Sequence, residues 1–135
     1  MTLAVNLDHV ASAVTEVFHA YEAALVANDS TTLNDLFWNS PHVVRFGVDD
    51  VQVGHQEVAL WRSTQSPVPS GRSLTDTRVV AFGEDMAVVT TAFGYPGRKA
   101  IGRQSQTWVR IAEGWRIVSA HVSEVPYHRA DRIPP

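Results

Sequence analysis

A tyrosine and an arginine stand at positions of the sequence where they could take part in chemistry. Tyr21 lies on the apolar stripe of a predicted helix. It could be a core residue with its hydroxyl at the surface, or it could donate to a developing oxyanion or a leaving nitrogen. Arg45 alternates with Val43 on one face of a predicted strand. It could be solvated, paired with Asp49 or Asp50, or placed to bind a carboxylate through two parallel hydrogen bonds.

A second group of polar residues shares one face of a predicted hairpin over residues 102–123. We predict a three-residue turn, Ala112-Glu113-Gly114, because it places Ile111 opposite Trp115 and pairs apolar residues near the turn. In this register the predicted inward face holds Arg103, Ser105, Thr107, Val109 and Ile111 from one strand, and Trp115, Ile117, Ser119, His121 and Ser123 from the other. This face is apolar near the turn and polar at its open end, so its polar residues are predicted to line a small-molecule pocket.

These polar residues leave alternatives open. His121 could act as a general base for water or be a hydrogen-bonded structural residue. Ser119 and His121 do not suffice for a nucleophile dyad, because no acid that would orient the imidazole can be identified. Arg103 could contact a second carboxylate or lie at an exposed strand end. Trp38 and Trp61 are predicted to form the pocket wall or to contact a second subunit.

The opposite face of the hairpin is unusually apolar for a surface, with Trp108, Val118, Ala120 and Val122 on it. We predict it to be the outer face of the sheet. An exposed apolar patch of this kind is typical of an interaction site. The sequence therefore predicts a homodimer, or a higher homo-oligomer, formed through the outer sheet face.

The elements that must position these residues follow from the apolar periodicity. A long helix is predicted over residues 6–28, with Asn6 or Asp8 as its N-cap, and a shorter helix after Asp29 or Ser30. Two short strands and a third helix follow, and the rest of the chain reads as antiparallel strands. Helices followed by a curved antiparallel sheet predict an α+β fold, with the N-terminal helices packed on the sheet. The prediction is one domain over residues 1–135, with a C-terminal tail over 126–135.

Composition narrows the function classes. The chain has 135 residues, a net charge of −3 and no cysteine, and its lysines and arginines form no run. A nucleic-acid partner is therefore not expected, and neither is a thiolate metal site. Histidines at ligand spacing are also missing, so we do not expect a metal. Because no signal peptide or apolar run of spanning length is visible, the predicted location is the cytoplasm, away from any membrane.

Several segments together resemble one known family. The segments "YEAALVANDSTTLNDLFW", "VVRFGV", "GRQSQTWVR" and "GWRIVSAHVS" are similar to the AtzH-like proteins. These belong to the SnoaL-like branch of the nuclear-transport-factor-two-like superfamily. The resemblance runs from about Tyr21 to Ser123, and it implies a cone-shaped α+β domain with a small pocket.

The resemblance also implies an activity. It indicates a cofactor-independent amidase that hydrolyses a small anionic ureide such as 1,3-dicarboxyurea to allophanate, in catabolism of the cyanuric acid or oxalurate type. The residues that would carry the chemistry are Tyr21 and Arg45. Two other functions remain open: a non-catalytic accessory protein for a partner amidase, and an isomerase. The isomerase would need a carboxylate base inside the cone, and the predicted inward positions contain none.

Overall fold

The computed structural model describes residues 2–112 and 114–127. Within them lie three helices, with bounds α1 (Asp8–Ala27), α2 (Ser30–Leu36) and α3 (His55–Ser63). Six strands complete the fold: β1 (Val44–Phe46), β2 (Val51–Val53), β3 (Ser73–Phe82), β4 (Met86–Gly94), β5 (Ala100–Ile111) and β6 (Gly114–Pro126). The predicted α+β fold is confirmed. Most of the predicted tail, from residue 128 onward, lies outside the described residues.

The strands form one sheet in the order β2-β1-β6-β5-β4-β3. All neighbours are antiparallel except β1 and β6, which run parallel. Helix α1 packs against β3 and β4, whereas α3 packs against β2. The helices therefore cover one face of the sheet, and the short strands β1 and β2 join its edge beside the long β5–β6 hairpin.

The helix ends show which predicted caps form. Asp29 caps α2, since its carboxylate accepts a hydrogen bond from the backbone N–H of Thr32. The predicted caps of α1 are wrong, because its N-cap is Leu7 and no side chain caps it. Asn6 instead accepts a hydrogen bond from the Ala81 N–H. It thereby helps to hold the N-terminal segment against the edge of β3.

The β5–β6 hairpin has a bulge that the sequence analysis did not predict. Far from the turn the predicted register is confirmed, with Thr107 opposite Ser119. Next to the turn Ile111 pairs with Gly114, so the predicted three-residue turn is wrong. The two registers differ by one residue and meet between Ile117 and Ser119, which leaves Val118 unpaired. Because a bulge reverses the alternation of side chains, the residues before and after Val118 swap faces.

The bulge reassigns the two faces of the hairpin. Trp108 and Ile117 are fully buried, and Ala120 is nearly so, all within the core formed with α1 and α2. Trp108 therefore lies on the inner face, and its predicted place on the outer face is wrong. The predicted homodimer was argued from that placement. It remains a prediction, but this argument no longer supports it.

Among the described residues, no helix has both the length and the apolar character that crossing a membrane requires.

Candidate active site

A pocket of about 270 Å³ opens between α1, α3 and the ends of β1 and β4. Its walls contain aromatic rings and an unusual number of cationic groups. Tyr21 lines it from α1, Arg45 from β1, and Trp61 and Arg62 from α3. Such a mixture of rings and fixed charges is typical of a site for a small polar ligand.

Arg45 is buried in this pocket and held by three neighbours. Its Nη1 donates to Asp50 Oδ1 at 2.6 Å and to Gln52 Oε1 at 2.9 Å. Its guanidinium carbon lies 3.8 Å from the centre of the Trp61 ring. Only Nη1 donates to the part of the chain described here, so Nε and Nη2 remain available to a ligand. Of the two predicted acidic partners, Asp50 pairs with Arg45.

The turn between β1 and β2 makes this pairing close. A Cβ atom at Gly47 would lie 2.4 Å from Asp50 Oδ1 and 2.7 Å from Arg45 Nη1. Glycine therefore leaves the space in which the ion pair forms. Burial lowers the pKa of Arg45 from its ordinary value, Tyr21 and Asp50 oppose that shift, and Arg62 adds to it. Arginine nevertheless stays a cation at neutral pH.

Tyr21 faces the same pocket from the middle of α1. It is 4% exposed, and its ring makes an edge contact with Phe37 at a centroid distance of 6.3 Å. Tyr21 and Arg45 both line this pocket. Within residues 2–112 and 114–127, the Tyr21 hydroxyl has no hydrogen-bond partner. It is therefore available as a donor to a bound molecule.

A fixed hydrogen-bond network forms the far wall. Arg72 donates from Nε to Glu22 Oε1 at 2.8 Å, from Nη1 to the Tyr95 hydroxyl at 2.8 Å, and from Nη2 to Gln104 Oε1 at 3.2 Å. It also lies 4.2 Å from the centre of the Phe93 ring. Burial lowers the pKa of Arg72, but Glu22 and Tyr95 outweigh it and leave the pKa raised. The network holds Glu22, the residue next to Tyr21, in one position.

Arg62 differs from the other arginines of the pocket. It is 7% exposed, and its Nε is buried without a hydrogen-bond partner among the described residues. Its guanidinium carbon lies 4.6 Å from the centre of the Trp61 ring. Leaving a buried polar group unpaired costs about 1–3 kcal/mol, and more for a charged group. The stacking on Trp61 offsets only part of that cost.

The structure brings together three of the eight predicted site residues: Tyr21, Arg45 and Trp61. Trp38 lines a separate cavity beside α2 and packs near His42. The other four, Arg103, Ser105, Ser119 and His121, are exposed on the opposite face of the sheet. His121 packs edge-on against Phe46 on that face. Their predicted inward orientation is wrong. The bulge at Val118 puts Ser119 and His121 on the face opposite Ile117, and Arg103 and Ser105 share that exposed face as cross-strand partners of Ser123 and His121.

The sequence analysis missed several residues of the pocket. Arg62 carried a signal, because it follows the apolar Val58 by four positions and so shares its buried helix face. Arg72 and Gln104 gave no such signal, because polar residues in predicted strands are expected to face solvent. Carboxylates also line the pocket, contrary to the prediction. Asp50 pairs with Arg45 and Glu124 with Arg98, and Asp49 is exposed without a salt bridge to a described residue.

Comparisons with known proteins agree with this architecture. The model of the AtzH-like family matches residues 3–127. A cystatin-like fold protein from Burkholderia xenovorans has 43% identity and a TM-score of 0.89, covering 92% of this chain and 98% of its own. A protein of unknown function from Pectobacterium atrosepticum has 42% identity and a TM-score of 0.87, covering 90% of this chain and 94% of its own.

More distant matches extend the likeness in fold alone. A nuclear transport factor 2-like superfamily protein from Salmonella enterica has 24% identity and a TM-score of 0.67, with 87% of this chain and 91% of its own covered. The comparison with functionally curated proteins gives no match. The fold is therefore that of the nuclear-transport-factor-two-like proteins, and the two closer matches carry no stated activity.

Proposed function

Because this chain belongs to the AtzH-like family, we propose that it is a hydrolase of a small carboxylated urea, such as 1,3-dicarboxyurea, with allophanate as product. The supporting observation is the shared pocket of Tyr21 and Arg45, where the phenol has no partner among the described residues and the guanidinium keeps free donors. The role would be in nitrogen-compound catabolism of the cyanuric acid or oxalurate type, in the cytoplasm.

The proposed reaction breaks the bond between a terminal carboxylate carbon and its nitrogen. Water adds to that carbon, and the electron pair of the bond goes to the nitrogen. The dianion and one water thus yield the allophanate anion and one bicarbonate. The substrate and water are the only reactants and no atom changes its oxidation state, so the reaction requires no redox cofactor.

Each of the two residues has a distinct role in this proposal. Arg45 holds the reacting carboxyl group through Nε and Nη2 and balances the charge that develops on its oxygens. Tyr21 donates its hydroxyl proton or a hydrogen bond to the departing nitrogen. Trp61 stacks on the guanidinium and fixes its plane. His121 is not available to activate water at this site, since it lies on the opposite face.

Purified protein incubated with 1,3-dicarboxyurea tests the proposal, with allophanate formation followed by carbon-13 NMR. The wild type should exceed the spontaneous rate, and Tyr21→Phe should lower its rate by about 100-fold or more. Arg45→Ala should abolish activity. Tyr127→Phe and Arg110→Ala are the matched controls, because both residues are exposed and neither lines the pocket. Wild-type turnover no faster than buffer would end this proposal.

An accessory protein for a partner amidase would show an exposed patch and a pocket without converging polar groups. The pocket described here holds several, which favours the hydrolase. Phe46, Val51 and Val53 are exposed apolar side chains on β1 and β2. They could form a contact surface between two copies, so a homodimer remains part of the proposal. Sedimentation velocity would measure the oligomeric state, and co-purification with an amidase whose activity is unchanged by Tyr21→Phe would favour the accessory role.

A further inference from the structure

The arginines that line the pocket differ in how their charges are balanced. The salt bridges Arg45–Asp50, Arg72–Glu22 and Arg98–Glu124 each supply a carboxylate. Arg62 has no carboxylate partner in the described part of the chain. Asp49, the lining carboxylate outside these pairs, is exposed and forms no salt bridge with a described residue, so Arg62 has no fixed counter-charge in the described pocket.

The position of Arg62 is enforced by helix α3. Val58 and Arg62 are the two buried residues of this helix and are spaced by one helical turn. Val58 is fully buried, so the side chain of Arg62, one turn along the same face, is directed into the molecule and not into solvent. There it lines the pocket with 7% of its surface exposed. A long cation is rarely buried in this way unless it is paired.

The neighbourhood of Arg62 fits an anion. Arg62 and Arg45 both stack on Trp61, at 4.6 Å and 3.8 Å from the ring centre. The two like charges destabilise one another, as the effect of Arg62 on the pKa of Arg45 reflects. An anion bound at the terminal nitrogens of Arg62, which have no hydrogen-bond partner among the described residues, would balance its charge and relieve the repulsion.

We propose that Arg62 is a substrate-binding residue that anchors an anionic group of the ligand, while Arg45 serves the reacting group beside Tyr21. The assignment follows from the contacts of the two side chains. Asp50 already balances the charge of Arg45, whereas the Arg62 guanidinium forms neither a salt bridge nor a hydrogen bond with a described residue. It deepens the proposed function and rests on it for the identity of the reaction, but not for the binding of an anion. The ligand class is a small molecule with two acidic groups.

The test is calorimetric binding of malonate and acetate to the purified full-length chain. Malonate should bind the wild type more tightly than acetate does. Arg62→Met should weaken malonate binding by about 10- to 100-fold, because a hydrogen bond to a charged group is lost together with a full charge. Arg62→Lys should recover part of the loss, since it restores the charge without the planar Nε–H donor. Arg110→Met, which removes an exposed arginine outside the pocket, should bind malonate as the wild type does.

Thermal unfolding of the same variants separates a binding role from a structural one. If Arg62 is kept for the ligand, Arg62→Met should unfold at the wild-type temperature or above it, because the variant removes an unpaired buried charge. Wild-type protein without saturable malonate binding, or Arg62→Met and Arg62→Lys with wild-type affinity, would overturn the inference. The wild type could bind malonate but fail to hydrolyse dicarboxyurea, while Arg62→Met loses malonate binding. That result would support the inference and reject only the proposed reaction.

Discussion

Removing either partner of the ion pair between Glu22 and Arg72 should strongly destabilise the protein. The side chains of Arg72 and Glu22 are 4% and 11% exposed. Glu22 accepts hydrogen bonds from Arg72 Nε at 2.8 Å, Arg72 Nη2 at 3.3 Å and Gln104 Nε2 at 3.2 Å. Two of these donors converge on the same oxygen, Oε2. Glutamine at this position would offer one acceptor oxygen and one NH₂ group, so at least one donor would face another donor.

The magnitude follows from this geometry. Removing one partner of a buried ion pair costs about 3–5 kcal/mol, because the remaining charge stays buried and unbalanced. For a domain whose whole stability is about 5–15 kcal/mol, Glu22→Gln should therefore lose a large part of it. The melting temperature should fall by about 10–20 °C for a chain of this size.

Urea unfolding followed by tryptophan fluorescence measures the effect, with Arg110→Gln as control. Arg110 pairs with Asp85 on the surface, where both side chains are more than half exposed, and such a pair contributes about 0–1 kcal/mol. A double variant, Glu22→Met with Arg72→Met, should be no less stable than either single variant, since no unbalanced charge remains. Additive losses in the double variant, or a loss for Glu22→Gln as small as for the control, would refute this reasoning.

Two further variants probe the packing and the charge balance of the pocket. Gly102→Ala should cost about 1–3 kcal/mol of unfolding free energy, because its Cβ would lie 2.1 Å from the Phe93 ring that faces Arg72. In the same urea assay Gly94→Ala, with its nearest atom at 4.0 Å, should stay within about 0.5 kcal/mol of the wild type. Asp50→Asn should bind malonate about 3- to 10-fold more tightly by calorimetry, because a carboxylate that competes for Arg45 is removed. Unchanged or weaker binding would mean that Asp50 orients Arg45 instead of competing with the ligand.

The helices and the antiparallel strands that follow α3 were accessible from the sequence because their signals are local. Helix α1 repeats apolar residues at one helical spacing, and Asp29 stands where an N-cap is needed. Arg45 was also placed correctly relative to Val43, since both are buried while Phe46 is exposed. A short strand with strict alternation leaves only one reading of its two faces.

The faces of β5 and β6 were not accessible, for a physical reason. Val109 and Ile111 make one face of β5 look apolar, whereas the buried residues are Gln104, Gln106 and Trp108 on the other. Gln106 is tolerated in the core because its side-chain oxygen accepts a hydrogen bond from the Trp108 indole N–H. A bulge adds one residue without a sequence mark of its own, and every side chain beyond it then points the opposite way.

The contrast between Arg72 and Arg62 shows why the site could not be read from residue types. Both are arginines of the same pocket and both are largely buried. Arg72 donates from all three nitrogens to protein acceptors, so it contributes rigidity and leaves nothing for a ligand. Arg62 is buried with its Nε unpaired in the described structure, which lowers stability unless a bound anion or water completes the site. Identical side chains therefore take opposite roles, and the difference lies in the acceptors that the fold places around each.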